Sequence, residues 1–313
     1  MMTHETFQDA DFPKQGKFEP AFTKGLITLT GAELLTKEFP PREMILSPWL
    51  PEKGLAMAFA ERGIGKTWFA LNIAHTVAGG GFFLGWSAPK ARRVVYIDGE
   101  MPAAALKERY AVIVANSEFD APEDTFRLVA ADLQPDGLPD LANPDAQRFY
   151  DGVIADAALI VVDNLSTLCR ALRENEADSW GPVQEWALRQ RAAGKSVLLV
   201  HHAGKGGAQR GTSRKEDVLD TVIKLQRPVN YVPAQGARFE VHFTKSRGFF
   251  GEDAKAFEAW LQDGRWTIGE ISNDDSIEAL RAMQEKGLSL RDIGARVGVS
   301  KDKVRRKLKE AGK

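Results

Sequence analysis

The stretch Ala60-Glu61-Arg62-Gly63-Ile64-Gly65-Lys66-Thr67 constrains the fold more than any other part of the chain. It follows the apolar run Leu55-Ala56-Met57-Ala58-Phe59 and precedes Trp68-Phe69-Ala70-Leu71-Asn72-Ile73-Ala74, whose apolar spacing is helical. Buried strand, glycine-rich loop and a helix opening on Gly-Lys-Thr form the layout of a phosphate-binding loop. The N–H groups of such a loop converge with those of the first helical turn, and the helix dipole adds positive potential there. ATP is the expected ligand, held by Ala60 through Trp68. Lys66 would reach the β- and γ-phosphates, and the Thr67 hydroxyl would ligate Mg²⁺. The full pattern begins with glycine; Ala60 stands there instead, which removes access to φ > 0.

The rest of the chain reads as an α/β domain built onto that unit. Apolar runs at 93–98, 126–130, 158–163 and 196–202 alternate with helical patterns at 103–116, 145–156 and 178–193. Continuous apolar strands separated by helices predict a mostly parallel sheet covered on both faces. Beyond residue 217 the pattern turns to strands at 218–225, 238–244 and 257–268, and 82–90 reads as an aromatic, Pro-containing loop. Residues 1–28 read as an arm. Thr30 and Glu33 form a capping box that opens a short helix to about Lys37, stopped by Pro40-Pro41. Asn273-Asp274-Asp275 marks a linker, and three short helical patterns follow at 276–286, 289–297 and 300–311. The break Val297-Gly298-Val299-Ser300 gives the last two the outline of a helix-turn-helix. The expected divisions are an arm and short helix at 1–45, the α/β core at 46–272 and a small all-α unit at 273–313.

Composition excludes several classes. With 313 residues and 43% hydrophobic content the chain can bury a sizeable core, yet no run of about 18 apolar residues exists to span a membrane. The polar first 17 residues hold no signal-peptide core. The single cysteine, Cys169, cannot pair internally, and no Cys/His cluster suggests zinc. A cytoplasmic location is therefore expected. The net charge of −1 hides an asymmetry: residues 276–313 carry 11 Lys/Arg against 5 Asp/Glu. A basic tail on an acidic body points to contact with nucleic acid.

Five further places carry candidate chemistry. Asp163 ends the strand at 158–163, where a carboxylate can orient the water shell of Mg²⁺ beside the loop. Glu100 and Asp98 both lie at the end of the strand at 93–98, and either could polarise a water over the γ-phosphate. His201 and His202 end the next apolar strand. Alternation sends one into the packing and the other toward the nucleotide, where it could report the γ-phosphate. The following loop, Ala203 to Lys215, is glycine-rich and basic; its Lys205, Arg210 and Arg214 suit a single-stranded phosphate backbone. Late in the core, Lys245 and Arg247 share one parity and could serve in trans if ATP lies between subunits.

Together these motifs resemble the RecA/DnaB-like P-loop ATPases, and among them most closely the RepA-type hexameric plasmid replication helicases. The likeness rests on Gly63-Ile64-Gly65-Lys66-Thr67, Val95-Tyr96-Ile97-Asp98-Gly99-Glu100, Val161-Val162-Asp163, His201-His202-Ala203-Gly204-Lys205-Gly206 and Arg210-Gly211-Thr212-Ser213. It covers residues 30–270. It implies a RecA-like sheet, a homo-hexamer with ATP between subunits, Glu100 as the water-activating base, Lys66 and Asp163 in the hydrolytic site and His202 as γ-phosphate sensor. It also implies a DNA-contacting loop at 205–214 and a trans-acting arginine, Arg247 ahead of Arg210. The tail Leu288-Ser289-Leu290-Arg291-Asp292-Ile293-Gly294-Ala295-Arg296-Val297-Gly298-Val299-Ser300 resembles the resolvase-type helix-turn-helix. That likeness implies a core of Ile293, Val297, Val299, Val304 and Leu308, with Lys301, Lys303, Arg305 and Arg306 facing duplex DNA. The activity so implied is an ATP-driven DNA motor serving a plasmid, phage or integrative element. An ATP-controlled DNA-binding regulator or loader is the alternative. A P-loop small-molecule kinase is a remote third, having no use for a helix-turn-helix.

Overall fold

The computed structural model describes residues 27–170, 180–203, 216–271 and 277–310. Two units are distinguished, one ending at Pro41 and one from Arg42 to Lys313. In the first, helix α1 (Gly31–Thr36) carries the capping box expected from Thr30 and Glu33.

The second unit opens with two short strands, β1 (Met44–Leu46) and β2 (Leu50–Pro51), which the sequence reading missed. Strand β3 (Leu55–Ala60) leads through the loop into helix α2 (Lys66–Gly79), which ends on Gly80 in the left-handed region. Residues expected to form an irregular loop instead make a small hairpin, β4 (Phe82–Phe83) and β5 (Trp86–Ser87). Tertiary packing decides this: Trp86 sits edge-on to Phe69 of α2 and to Phe83, and Phe83 lies tilted against Phe69. Then come β6 (Val94–Asp98), α3 (Ala103–Ala115), β7 (Phe126–Ala130), α4 (Pro144–Ile154), β8 (Leu159–Asp163), a one-turn α5 (Leu165–Leu168), α6 (Gly181–Ala192) and β9 (Ser196–His202). Strands β10 (Thr221–Gln226) and β11 (Arg238–Ser246) follow. The expected run at 257–268 is two strands, β12 (Phe257–Gln262) and β13 (Arg265–Gly269), because Asp263 and Gly264 both take positive φ and reverse the chain.

One nine-stranded sheet organises the unit, in the order β13-β12-β11-β10-β3-β9-β8-β6-β7. From β7 to β10 neighbouring strands are parallel; β10 through β13 are antiparallel. The five strands from β7 to β3 place the P-loop strand beside β9 rather than beside β6, which follows it in sequence. This order, with helices on the sheet, is a RecA-like fold.

Strand alternation assigns side chains to two cores. Ala56, Ala58 and Ala60 of β3 join Val94 and Tyr96 of β6, Leu159 and Val161 of β8 and the inner residues of α2. Leu55, Met57 and Phe59 point the other way, with Val95, Ile97, Ile160, Val162 and the buried Trp180 and Trp186. The three alanines let α2 lie close over the sheet, which brings its N-terminus down onto the strand ends.

Three helices close the chain: α7 (Ile277–Glu285), α8 (Leu290–Arg296) and α9 (Lys301–Glu310). Leu280, Met283, Ile293, Val297 and Val304 form their own core, with Val299 and Leu308 packed against it. Val229, between β10 and β11, also packs against that cluster, so the tail rests on the sheet-bearing part of the same unit. Among the described residues no helix is long and apolar enough to cross a membrane.

Candidate active site

Ala60 closes β3 in extended conformation, and its carbonyl accepts the N–H of Ala203 at 2.7 Å. It does not take positive φ, so the missing first glycine leaves the loop intact. Glycine is required further along the loop. Gly65 caps α2 at φ 115°, and a Cβ there would lie 3.0 Å from that of Ala237. Arg62 and Glu61 are exposed at the loop's rim, while Ile64 is buried. Trp68 lies under the guanidinium of Arg109, 5.4 Å from its ring centre.

Lys66 is almost buried, at 7% exposure, and donates to the carbonyls of Glu61 at 2.9 Å and Ala60 at 3.3 Å. Burial pushes its pKa down to about 8, against the opposite pull of Asp163 and Glu100. Asp163 accepts from the buried Tyr96 hydroxyl at 2.7 Å and from Thr67. Burial raises its pKa, and those two hydrogen bonds together with Lys66 oppose the rise. Strand parity explains the meeting. Tyr96 and Asp98 on β6 and Val161 and Asp163 on β8 all face α2, and Asp98 is the register partner of Asp163.

The two strand-end acids differ sharply in setting. Asp98 is fully buried, and its Oδ1 accepts the N–H groups of Glu100 at 2.8 Å and Met101 at 2.6 Å. Burial, then the neighbouring Asp163, push its pKa up to about 7. It braces the loop that carries Glu100. The Glu100 side chain is 53% exposed, stands 3.5 Å from His202 Nε2 and accepts a hydrogen bond from the Asn164 amide. Of the two, Glu100 is the carboxylate open to solvent.

His202 shares the parity of Leu198 and Val200, which face α2, and pairs in register with Ala60. His201 shares that of Val197 and Leu199 in the opposite core. Burial, followed by Lys66, holds the His202 pKa below its ordinary value.

Lys245 and Arg247 do project together: both donate to backbone carbonyls at 216–217, Lys245 to Glu216 and Arg247 to Asp217 at 3.3 Å. Their place in the sheet matters more. Ser246 pairs with Thr221, and Thr221 with Ala56, near the start of the P-loop strand. They therefore lie at the end of the sheet opposite their own P-loop. The four-residue offset along β3 to Ala60 is roughly 13 Å of strand.

The expected DNA-facing residues Lys205, Arg210 and Arg214 lie outside the described residues. Lys301, Lys303, Arg305 and Arg306 are exposed on α9, with Arg305 paired to Asp302 at 3.3 Å. Sequence reasoning missed Tyr96, Asn164 and Arg227. Tyr96 could have been found by its parity with Asp98, and Asn164 by its position after Asp163. Arg227 reaches the carbonyl of Gly63 from 164 residues away at 3.4 Å, and no local signal announces it.

Two hard oxygen donors, Thr67 and Asp163, meet at the mouth of the loop. They suit Mg²⁺, which keeps several waters and takes few protein ligands. Among the described residues no cluster of three or more His, Cys, Asp or Glu offers a self-sufficient metal site, so the nucleotide's phosphates would complete this one.

A RecA-like sheet with this loop, strand-end acids and histidine defines a P-loop ATPase. The chain belongs to the AAA_25 family, an AAA domain, which matches residues 24–208. Among solved structures it is similar to a KaiC-like protein from the hyperthermophilic archaeon Pyrococcus horikoshii OT3. Identity is 18% over 70% of this chain and 90% of that one, with a TM-score of 0.49.

Proposed function

We propose that this ATPase is a DNA-binding motor of the RepA/DnaB-like helicase type, working as a homo-oligomer, in the likeness a hexamer, with ATP between subunits. The observation that carries the reading is the position of Arg247. It cannot serve its own P-loop, from which the length of the strands separates it, but it is exposed at an end of the sheet where a neighbour's nucleotide could meet it. An arginine supplied in trans is the device by which ring ATPases make turnover depend on assembly.

In this reading Lys66 and the loop N–H groups hold the β- and γ-phosphates. Thr67 and Asp163 would hold Mg²⁺, which would supply neutralising charge to the triphosphate. Glu100 accepts the proton of the attacking water, and Asp98 fixes the loop from which it does so. His202, between Lys66 and Glu100, senses the γ-phosphate and passes its presence to the loop at 205–214, which follows single-stranded DNA. The exposed cations of α9 contact duplex DNA.

A second reading is an ATP-controlled DNA-binding regulator or loader. The packing of Val229 against the tail's own core favours it, since a tail seated on the ATPase core can be governed by it. ATPase assays with and without single-stranded DNA, alongside a strand-displacement assay, separate the two. Stimulated hydrolysis with displacement is the expected result. Stimulation without displacement supports the regulator, and hydrolysis indifferent to nucleic acid refutes both.

A further inference from the structure

Among the described residues, the C-terminal helices grip the ATPase core at the segment after β10, and that segment adjoins the P-loop. Arg296, the last residue of α8, pairs with Glu240 of β11 at 2.5 Å and donates to the carbonyl of Arg227 at 3.3 Å. Glu240 is 3% exposed and holds His242 on its other oxygen at 2.8 Å. Lys286 donates to the carbonyl of Val229, whose side chain packs into the tail's core. The segment is thus held from the tail side at Arg227 and Val229.

Arg227 points from that grip to the loop. Its guanidinium stacks on Tyr231 at 4.7 Å, and its Nη2 lies 3.4 Å from the Gly63 carbonyl. A Cβ built on Gly63 would have the same Nη2 as its neighbour at 3.6 Å. A planar cation at the rim of a loop made for phosphates stands where a triphosphate brings several negative charges. The Gly63 carbonyl is a modest partner for it; a phosphate oxygen is a far stronger one.

We propose that Arg227 contacts the bound nucleoside triphosphate and that the docked C-terminal helices, through Arg296 and Glu240, set its position. This rests on the P-loop reading and gives it a further ligand, which the motif pattern leaves out. It also makes nucleotide affinity depend on the tail. Coupling is reciprocal, so nucleotide binding must in turn alter how firmly α8 is held.

The test uses the full chain and a fluorescent non-hydrolysable ATP analogue. Arg227→Ala should weaken binding by about fivefold or more, the lower end of ordinary coupling energies, and Arg227→Lys by less. Arg296→Gln, a change on the tail rather than in the loop, should also weaken binding, by loss of positioning and by less than Arg227→Ala. The double variant should bind no more weakly than Arg227→Ala alone, because Arg296 acts only through Arg227. Unfolding midpoints without nucleotide check that each variant folds; should Arg227→Ala fail, Arg227→Lys and Arg296→Gln carry the test. Hydrogen exchange in α8 should change when the analogue is added. Wild-type affinity in the Arg227 variants overturns the proposal, as does wild-type affinity in Arg296→Gln. Multiplying effects in the double variant, or unchanged exchange in α8, also overturn it. Wild-type binding by Lys66→Ala would instead defeat the P-loop reading itself.

Discussion

Lys66→Met should give a protein that is more stable than wild type and unable to bind nucleotide. Lys66 is charged at neutral pH in a nearly closed site, and burial lowers its pKa from the ordinary 10.5 to about 8. At about 1.4 kcal/mol per pH unit, that drop represents about 3 kcal/mol of unfavourable free energy in the folded state at pH 7. Few bonds offset its removal. The Ala60 carbonyl keeps the N–H of Ala203, and Glu61 is exposed, so its carbonyl can turn to water. Methionine fills similar volume without the charge. Allowing for relaxation around the ammonium group, a net gain of about 1–2 kcal/mol is expected at pH 7. The sign of the pH dependence follows from the same figures. Folding favours neutral Lys66, so the penalty is fully present below about pH 8 and fades as pH rises toward 10.5. Wild type should therefore approach the variant in stability between pH 8 and 10.5. Urea unfolding of both proteins across pH 6–10.5, without nucleotide, measures this. If Lys66→Met is less stable at every pH, or the two curves run parallel, burial of the charge is not what sets the Lys66 environment.

Three further outcomes are expected. Glu100→Gln should bind ATP normally and lose turnover by about 10²–10⁴-fold; wild-type turnover would move the base elsewhere, with Asp98 next in line despite its burial. Arg247→Ala should bind ATP and hydrolyse it at least about 10³-fold more slowly. Mixed with Lys66→Ala it should recover part of that loss at mixed interfaces, and mixed assemblies with no recovery would refute a trans role. Removing residues 277–313 should keep turnover at saturating ATP and weaken duplex binding, with the log-affinity against log-salt slope flattening by about 0.9 for each DNA phosphate that the tail had neutralised. A truncated, folded protein with no hydrolysis at any ATP concentration would make the tail part of the motor.

Much of the core was legible in the residues themselves, because strands and helices are written in local periodicity. The apolar runs located β3, β6, β8 and β9 to within a residue or two, and Gly65-Lys66-Thr67 located the helix start. Parity along β9 implied that only one of His201 and His202 could face α2. Local patterns are silent about which strand lies beside which, since that depends on packing between segments far apart in sequence. The tertiary structure alone inserted β9 between β3 and β8, which carries His202 to Glu100. Folding also buried Asp98 beside Asp163 while leaving Glu100 open, a distinction that two acids two residues apart could not reveal. Antiparallel pairing of β11 with β10 sent Arg247 to the end of the sheet opposite its own P-loop. The aromatic segment at 82–87 became a hairpin on a surface offered by Phe69 of α2 together with Trp49, Phe243, Phe257 and Trp266, all distant in sequence. Arg227 reached Gly63, and Arg296 reached Arg227, by contacts between segments with no pattern in common. Periodicity fixed which face each side chain takes, and the order of strands, set by long-range burial, decided which of those faces meet.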